Sequence, residues 1–134
     1  MATAQNVKFF VITPERQVLE ESSGSVVFTA HDGEMGVLTD RAPLMCELGI
    51  GQLRYEAGGQ TRRLFIDGGF AQVIKNQVTI LTQQAIPAEE VTPALIADEE
   101  QALAKLQGTD PDTQDARQRL QRRLSALRGL RSTR

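Results

Sequence analysis

The chain has 134 residues, of which 40% are hydrophobic and 24% charged, and its formal net charge is −2. This length allows one domain of ordinary size or a small domain with an appendage, and it excludes two enzymatic domains. No apolar run approaches the roughly 18 residues that a membrane span requires, so the composition predicts a soluble globular protein. A secretory signal is not expected either, because Met1 to Asn6 lack a basic region followed by a long apolar segment.

The charges are distributed unevenly along the chain. Residues 1–85 contain seven basic and nine acidic side chains, residues 86–110 contain one and six, and residues 111–134 contain seven and two. The C-terminal part therefore divides into an acidic half and an arginine-rich half. Nucleic-acid binding is not predicted, because the arginine-rich half follows a helical pattern without interleaved aromatic residues.

Up to Gln84 the apolar residues recur with a period of two, and glycine or asparagine interrupts them every eight to twelve residues. This pattern favours an all-β sandwich or barrel. Tight turns are expected at Gly58-Gly59 and around Asn76, and Gly68-Gly69 is expected to form a bend between two strands. The predicted strands cover residues 7–13, 18–21, 24–31, 53–57, 61–66, 70–74 and 78–82. The phenylalanines predicted to lie in the core are Phe9, Phe28, Phe65 and Phe70.

After Ile86 the apolar period changes to 3.6, which predicts two amphipathic helices. The first begins at Thr92-Pro93 and ends at Gly108, and the second begins after Asp110. Because a short linker joins them, they form an antiparallel αα-hairpin. The predicted fold is an all-β sandwich followed by this C-terminal hairpin, α+β overall, with domains at 1–86 and 87–134. Residues 1–86 are expected to fold without the hairpin. The apolar stripes are Leu95, Ile96, Ala102, Leu103 and Leu106, then Ala116, Leu120, Leu124, Leu127 and Leu130.

Each stripe contains one charged residue, Glu99 in the first helix and Arg123 in the second. Projection at 100° per residue places both within the apolar faces, at heights that two long side chains can bridge. One alternative is that each side chain extends its charged end into solvent. The other is a salt bridge inside the closed hairpin.

Catalytic and metal-binding patterns are not found in the sequence. His31 is the single histidine and Cys46 the single cysteine, so neither a two-histidine metal site nor a zinc cluster can form. Cys46 is expected to be a small core residue in a reducing compartment. Asp32 and Glu34 are expected to lie on a loop, where carboxylates are usually solvated. No phosphate-binding or dinucleotide motif occurs in the sequence. No enzymatic activity and no cofactor are predicted.

Four short segments nevertheless follow one another in a distinctive order. Residues 33–38 (Gly-Glu-Met-Gly-Val-Leu), expected to form a docking loop, precede Arg41-Ala42-Pro43-Leu44. The later segments are Leu48-Gly49-Ile50-Gly51, then residues 68–73, then Val78-Thr79-Ile80-Leu81 ahead of the charged helices. In this order and spacing the chain resembles the epsilon subunit of F-type ATP synthases, which is called delta in mitochondria.

The resemblance implies a non-catalytic subunit of the central rotor stalk, whose sandwich couples the gamma subunit to the ring of c subunits. It also implies a peripheral position on the cytoplasmic face of the bacterial inner membrane, with contact to the membrane only through the complex. Arg41 departs from the family's usual histidine, which removes a group that could titrate near neutral pH. The residues that match the family's c-ring loop are Glu34, Met35, Arg41, Ala42 and Pro43.

The resemblance also assigns a regulatory role to the hairpin. In the family the two helices fold against the sandwich or extend along gamma toward the catalytic alpha and beta subunits, where basic residues meet an acidic surface and block ATP hydrolysis. The projection points Arg122 away from the apolar stripe, whereas Arg123 can pair with Glu99 only in the closed hairpin. The basic candidates for the regulatory helix are Arg119, Arg122, Arg123 and Arg128.

Two further expectations concern ligands. Many bacterial epsilon subunits bind ATP through an Ile/Leu-Asp-x-x-Arg-Ala segment, but residues 91–96 here read Val-Thr-Pro-Ala-Leu-Ile. The charged groups for a nucleotide are missing from it, so ATP binding is not predicted. The alternative function is a free-standing β-sandwich that binds a ligand and dimerises through its helical hairpin. The scarcity of Trp and Tyr argues against a carbohydrate ligand.

Overall fold

The structure, a computed structural model, describes residues 6–132. Residues 1–5 and 133–134 lie outside the described range. The first five are part of the predicted N-terminal domain and of the segment in which a secretory signal was not expected, and the last two are part of the predicted hairpin domain. Within residues 6–132 the chain forms eight strands, a 3-10 turn and two helices. The strands are β1 Val7–Ile12, β2 Gln17–Ser23, β3 Ser25–Ala30, β4 Gly33–Leu38, β5 Leu44–Ala57, β6 Gln60–Ile74, β7 Gln77–Leu81 and β8 Ala85–Pro87; the turn is Ala88–Glu90, and the helices are α1 Pro93–Ala104 and α2 Pro111–Ser132.

The strands are joined in the order β2-β1-β7-β6-β5-β3-β4, and β8 pairs with β6 outside this path. The β1–β7 pair is parallel, and every other pair is antiparallel. The hairpin between β5 and β6 turns at Gly58-Gly59, both with positive φ, as the sequence predicted. Lys75 and Asn76 both adopt positive φ at the next turn, whereas the sequence indicated only Asn76.

Strands β5 and β6 are much longer than predicted. Residues 61–66 and 70–74 were expected to be two strands separated by a bend, but both belong to β6, and Gly68-Gly69 lies inside that strand. The two glycines, with φ of 68° and 106°, redirect the strand without ending it. As a result the first half of β6 pairs with β8 and its second half pairs with β7.

The segment at residues 33–38 is strand β4, not the loop that its glycines suggested. It pairs with β3 in register, from Ala30 opposite Gly33 to Ser25 opposite Leu38. The reason is an alternation that the glycines obscure, because Met35 and Val37 face the core while Glu34 and Leu38 face outward.

The sandwich interior is one apolar cluster that includes Phe9, Phe28 and Leu53, each no more than 1% exposed. The Phe9 and Tyr55 rings meet edge to face, with their centroids 4.7 Å apart. Phe70, which the sequence assigned to the core, is 53% exposed instead. Its neighbours Ala71 and Val73 face inward, and the pleat therefore turns Phe70 to the outside.

A second apolar cluster lies between the sheet and the helices. Phe65 of β6 is fully buried there beneath Leu127 and Leu130 of α2 and Val91 before α1. Ile50, Leu95 and Ile96 pack around it. The hairpin is thus closed against the sandwich. The sandwich followed by two C-terminal helices confirms the predicted fold class, whereas the independence of the two predicted domains remains a prediction.

The helix starts agree with the sequence, and one helix end does not. The Thr92 hydroxyl accepts a hydrogen bond from the Leu95 amide at 3.2 Å, and the Asp110 carboxylate accepts one from the Thr113 amide at 3.0 Å. Helix α1 ends at Ala104, four residues before the predicted stop at Gly108. The linker has its own partners instead, because Arg117 donates to the carbonyl oxygens of Leu106 and Gly108 at 3.0 and 2.9 Å.

Candidate partner-binding surfaces

Glu34 lies on the outer face of β4 and forms an ion pair with Arg54 of β5, across the intervening strand β3. The two guanidinium nitrogens donate to the two carboxylate oxygens at 2.6 and 3.2 Å. This fork-like hydrogen bonding holds the pKa of Glu34 below its ordinary value. The Glu34 side chain is still 53% exposed, so it can reach a partner while it remains paired.

The other residues matched to the c-ring loop divide into two groups. Arg41, Ala42 and Pro43 are exposed on the loop between β4 and β5. Met35 is half-buried and packs against the sandwich core. Four of the five candidates are therefore exposed, Glu34 near the start of β4 and the other three on the loop that follows this strand, whereas Met35 is turned inward.

This loop is fixed to the neighbouring β6–β7 turn. Asp40 has φ of 63°, its amide donates to the Asn76 side-chain oxygen, and the Asn76 amide group donates to the Asp40 carboxylate at 3.3 Å. Asp40 and Asn76, both in the left-handed conformation, thus link the β4–β5 loop to the β6–β7 turn. These hydrogen bonds fix the position of the loop of residues 39–43 on the surface.

A larger exposed surface lies on the outer side of β1, β7, β6 and the start of β5. Phe70 and Leu81 lie directly opposite one another and are 53% and 50% exposed. Ile12 stands opposite Leu81 on the next strand, and Met45 is 66% exposed. We refer to this surface as the outer apolar face; its members are Phe10, Ile12, Met45, Phe70, Ile74 and Leu81. Exposed apolar side chains clustered in this way are typical of a surface that another protein covers.

At the junction of sheet and hairpin, a cluster of charged groups surrounds Asp67 of β6, which is 6% exposed. One carboxylate oxygen accepts from Arg119 at 2.7 Å and the other from Arg123 at 2.9 Å. Arg123 also donates to Glu99 of α1 at 2.9 Å through Nε, and to Gln84 at 2.8 Å. Of the two alternatives for Glu99 and Arg123, the structure contains the ion pair, with each side chain 12% exposed.

The guanidinium of Arg123 also lies 5.0 Å from the centroid of the Phe65 ring, a cation–π distance. The charged cluster and the second apolar cluster are therefore continuous. Arg128 forms a separate, exposed pair with Glu100 at 2.6 Å. Arg122 is exposed on α2 beside a cleft that β5 lines, and within residues 6–132 it makes no ion pair.

Sequence reasoning missed three contributors to these surfaces, namely Arg54, Asp67 and the exposed position of Phe70. The sequence does contain a sign that Asp67 is buried and paired, because it directly follows the apolar residues Leu64, Phe65 and Ile66. An acid in such a run needs a partner, because an unpaired buried carboxylate is costly. Which arginine supplies the partner depends on how the hairpin closes, and no local pattern reveals that.

Within residues 6–132 no group of three or more His, Cys, Asp or Glu side chains could hold a metal ion. Burial raises the pKa of the Cys46 thiol, which lowers its reactivity as a nucleophile. In the same range, neither helix is long and apolar enough to cross a membrane.

Comparison with known proteins agrees with this architecture. Residues 6–88 match the family model described as ATP synthase, Delta/Epsilon chain, beta-sandwich domain. The ATP synthase epsilon chain of Nitratidesulfovibrio vulgaris is 42% identical over 60% of this chain and 60% of its own length. The ATP synthase epsilon chain of a Synechococcus strain is 36% identical over 88% of this chain and 84% of its own length. For the first of these relatives, the match therefore spans less than two thirds of its length.

Two solved structures have the same fold. A chain of the Euglena gracilis mitochondrial ATP synthase, OSCP/F1/c-ring in rotational state 1, superposes with a TM-score of 0.79 at 28% identity, over 96% of this chain and 82% of that one. A chain of the Tetrahymena thermophila mitochondrial ATP synthase central stalk and c-ring has a TM-score of 0.69 at 13% identity, over 96% and 98%. The second match supports the fold alone. The resemblance inferred from the sequence is confirmed, and the chain belongs to the delta/epsilon family of ATP synthase subunits.

Proposed function

We propose that this chain is a non-catalytic central-stalk subunit of an F-type ATP synthase, in which the sandwich links gamma to the c-ring and the hairpin limits ATP hydrolysis. In this role it is peripheral on the cytoplasmic face of a bacterial inner membrane and meets the membrane only through the complex. Family membership supports the assignment, and the outer apolar face is the observation on which the proposed attachment depends.

The outer apolar face is the proposed contact with gamma. Phe70 and Leu81 form its centre, on the side of the sheet that the hairpin leaves open. Fully burying an exposed Phe or Leu side chain is worth about 1.5–3 kcal/mol. Because Phe70 and Leu81 are half exposed, each would contribute about half of that, as anchors at the centre of a larger interface. Attachment to gamma thus requires no movement of the hairpin, which packs on the other half of β6.

Binding of the full-length chain to purified gamma tests this contact. Phe70→Ser should weaken binding at least tenfold while leaving the fold intact, because the side chain is half exposed. Leu38→Ser is the matched control, since Leu38 is 62% exposed but lies on β4, outside the outer apolar face. Equal binding of wild type and Phe70→Ser would disprove the assignment of this face.

Glu34 on the edge strand β4, and Arg41, Ala42 and Pro43 on the loop that follows it, form the proposed contact with the c-ring. The strand contributes one acidic side chain to this edge, and the fixed loop of residues 39–43 contributes one basic side chain. We expect Glu34→Arg to weaken attachment to isolated c-rings and to reduce coupled ion pumping more than ATP hydrolysis. Arg54→Gln is the control, because it breaks the same ion pair without reversing the charge that faces the ring. If both variants lose attachment equally, the pair shapes the edge and Glu34 does not contact the ring.

The proposed regulatory role depends on the hairpin. In the closed position seen here its apolar stripe is buried against the sandwich, and extension would expose α2 to the catalytic alpha and beta subunits. The same burial argues against the alternative function, a ligand-binding module that dimerises through the hairpin. Leu124, Leu127 and Leu130, which a dimer would need, are already buried within the closed chain, and the last two pack in the cluster that contains Phe65 of the sheet.

A further inference from the structure

We propose that Asp67 is the central carboxylate of an ion-pair cluster, here called the latch, that holds the hairpin on the sandwich and neutralises two of the arginines proposed for regulation. The residues of this latch are Asp67, Glu99, Arg119 and Arg123. The latch itself follows from the geometry of the chain, whereas its effect on ATP hydrolysis rests on the proposed function.

The latch connects the sheet with both helices. Asp67 belongs to β6, Glu99 to α1, and both arginines to α2, so the latch joins all three elements that meet at the junction. Asp67 and Arg123 are 56 residues apart in the chain. Because Arg119 and Arg123 are four residues apart, they project from the same face of α2 onto the same carboxylate. Separation of the helices from the sheet would break both contacts to Asp67 together.

Three of the four latch residues are largely buried. The side chains of Asp67, Glu99 and Arg123 are 6%, 12% and 12% exposed. While the hairpin is closed, these three groups therefore bond mainly to one another and have little access to water. A buried ion pair that loses one partner is strongly destabilised, because the remaining charge has no compensation. Partial opening is therefore unfavourable, and the junction favours two states, fully closed or fully released.

The latch pairs arginines that are also candidates for the regulatory contact. Three of the four regulatory candidates are paired within the closed chain, Arg119 and Arg123 in the latch and Arg128 with Glu100. A surface whose positive charges are already neutralised has weak attraction for an acidic partner. Closing therefore masks the charge that opening makes available.

Amide hydrogen exchange of the isolated full-length chain tests the latch without any other subunit. Helices of this size are marginally stable once they lose tertiary contacts, so release of the hairpin appears as faster exchange in α1 and α2. We expect Asp67→Asn to speed exchange in both helices by roughly 10- to 100-fold, while β1 and β7 change by less than about threefold. Arg119→Gln, in which a half-exposed side chain is changed, should produce a smaller acceleration of the same helices.

Glu100→Gln is the matched control, because it removes an exposed ion pair between α1 and α2 that does not reach the sheet. It should change helix exchange by less than about threefold. The latch is refuted if the helices of Asp67→Asn and Arg119→Gln exchange at the wild-type rate. It is refuted equally if β1 and β7 accelerate as much as the helices, since Asp67 would then support the whole fold.

The regulatory consequence has a separate readout. Added to a gamma-containing catalytic head, Asp67→Asn should inhibit ATP hydrolysis several-fold more strongly than wild type, because more of it is open and its arginines are released. Faster helix exchange with unchanged inhibition would leave the latch in place and refute the inhibitory role of the hairpin. The two proposals therefore fail in distinguishable ways.

Discussion

Gly69 of β6 lies so close to Leu81 of β7 that a Cβ atom at residue 69 would stand 1.8 Å from the Leu81 carbonyl oxygen. The backbone at Gly69 has φ of 106°, a conformation that side chains strongly disfavour. Both facts require glycine at this position. The close approach occurs where β6 passes from its pairing with β8 to its pairing with β7, directly before Phe70 of the outer apolar face.

We expect Gly69→Ala to lower the free energy of unfolding by about 2–5 kcal/mol, as backbone strain adds to the collision with the neighbouring strand. Urea denaturation of the full-length chain measures this. Gly24→Ala is the control, since residue 24 has ordinary φ and no atom within 4 Å of an added Cβ. A loss below 1 kcal/mol at residue 69 would mean that the two strands separate easily.

Features determined by local chemistry could be predicted from the sequence. The Thr92 and Asp110 caps, the Gly58-Gly59 turn and the apolar stripe of α2 each depend on residues close together in the chain, and each appears as predicted. Strand β4 was mistaken for a loop because two glycines in six residues hide the alternation of Met35 and Val37.

Features determined by distant partners could not be predicted. Phe70 belongs to a run of strand-forming residues, and only the bend at Gly69 decides which side of the sheet it faces. Helical geometry alone places Glu99 and Arg123 within reach of one another, but Asp67, the second carboxylate that Arg123 contacts, comes from the sheet. Its pairing with α2 depends on how the whole hairpin docks, which no periodicity describes.

The predicted domain division leads to a test of independent folding. We expect a chain ending at residue 90, which keeps β8 and the 3-10 turn, to fold as a cooperative β-rich unit, because the main core lies within the strands. Removal of the helices that cover Phe65 should lower the free energy of unfolding of the shortened chain by about 2–4 kcal/mol relative to the full chain. Circular dichroism and urea denaturation measure both effects. An unfolded shortened chain at room temperature would show that the hairpin belongs to the core.

The Glu34–Arg54 pair predicts a pH-dependent contribution to stability. The pKa of Glu34 is lowered in the folded chain because Arg54 hydrogen-bonds its carboxylate. Its stabilising effect is therefore fully present above the ordinary carboxyl pKa and is lost as pH falls through the lowered folded value. Since the pair is exposed, Glu34→Gln should cost less than about 1 kcal/mol at pH 7.

The matching measurement is urea denaturation of wild type and Glu34→Gln at pH 7 and at decreasing acid pH. The difference between the two chains should shrink toward zero as Glu34 becomes protonated. Glu56→Gln serves as the control, because Glu56 is exposed and its carboxylate accepts from the Thr61 hydroxyl rather than from an arginine. If the difference in free energy of unfolding between wild type and Glu34→Gln grew on acidification, the ionised Glu34 carboxylate would not be the stabilising form.

We expect no specific binding of ATP at millimolar concentration. Val91 is fully buried, and Leu95 and Ile96 pack against the second apolar cluster, so three of the six residues at 91–96 are occupied by apolar contacts and none of the six is charged. A ligand present at one hundred times its dissociation constant adds about 2.7 kcal/mol to stability, which a thermal melt detects easily. A rise in melting temperature with ATP that an equal concentration of sulfate does not reproduce would contradict this expectation.

The proposed inhibitory contact predicts different roles for neighbouring arginines of α2. Arg123 is committed to the latch, whereas Arg122 is exposed on the adjacent face and makes no ion pair within the described residues. Changing both together would mix two opposing effects, since loss of Arg123 opens the hairpin while loss of Arg122 removes a contact with the head. Arg122→Glu alone separates them.

We expect Arg122→Glu to raise the concentration needed for half-maximal inhibition of a gamma-containing catalytic head by about three- to tenfold at low ionic strength. The effect should decrease as salt rises, because exposed charges are screened. Helix exchange in the isolated chain should stay at the wild-type rate, which shows that the closed state is intact. Lys105→Glu is the matched control, because it makes the same change of charge at an exposed residue just after α1. If Arg122→Glu inhibits as strongly as wild type and Lys105→Glu at low salt, the exposed arginine face of α2 is a solvated surface and does not contact the head.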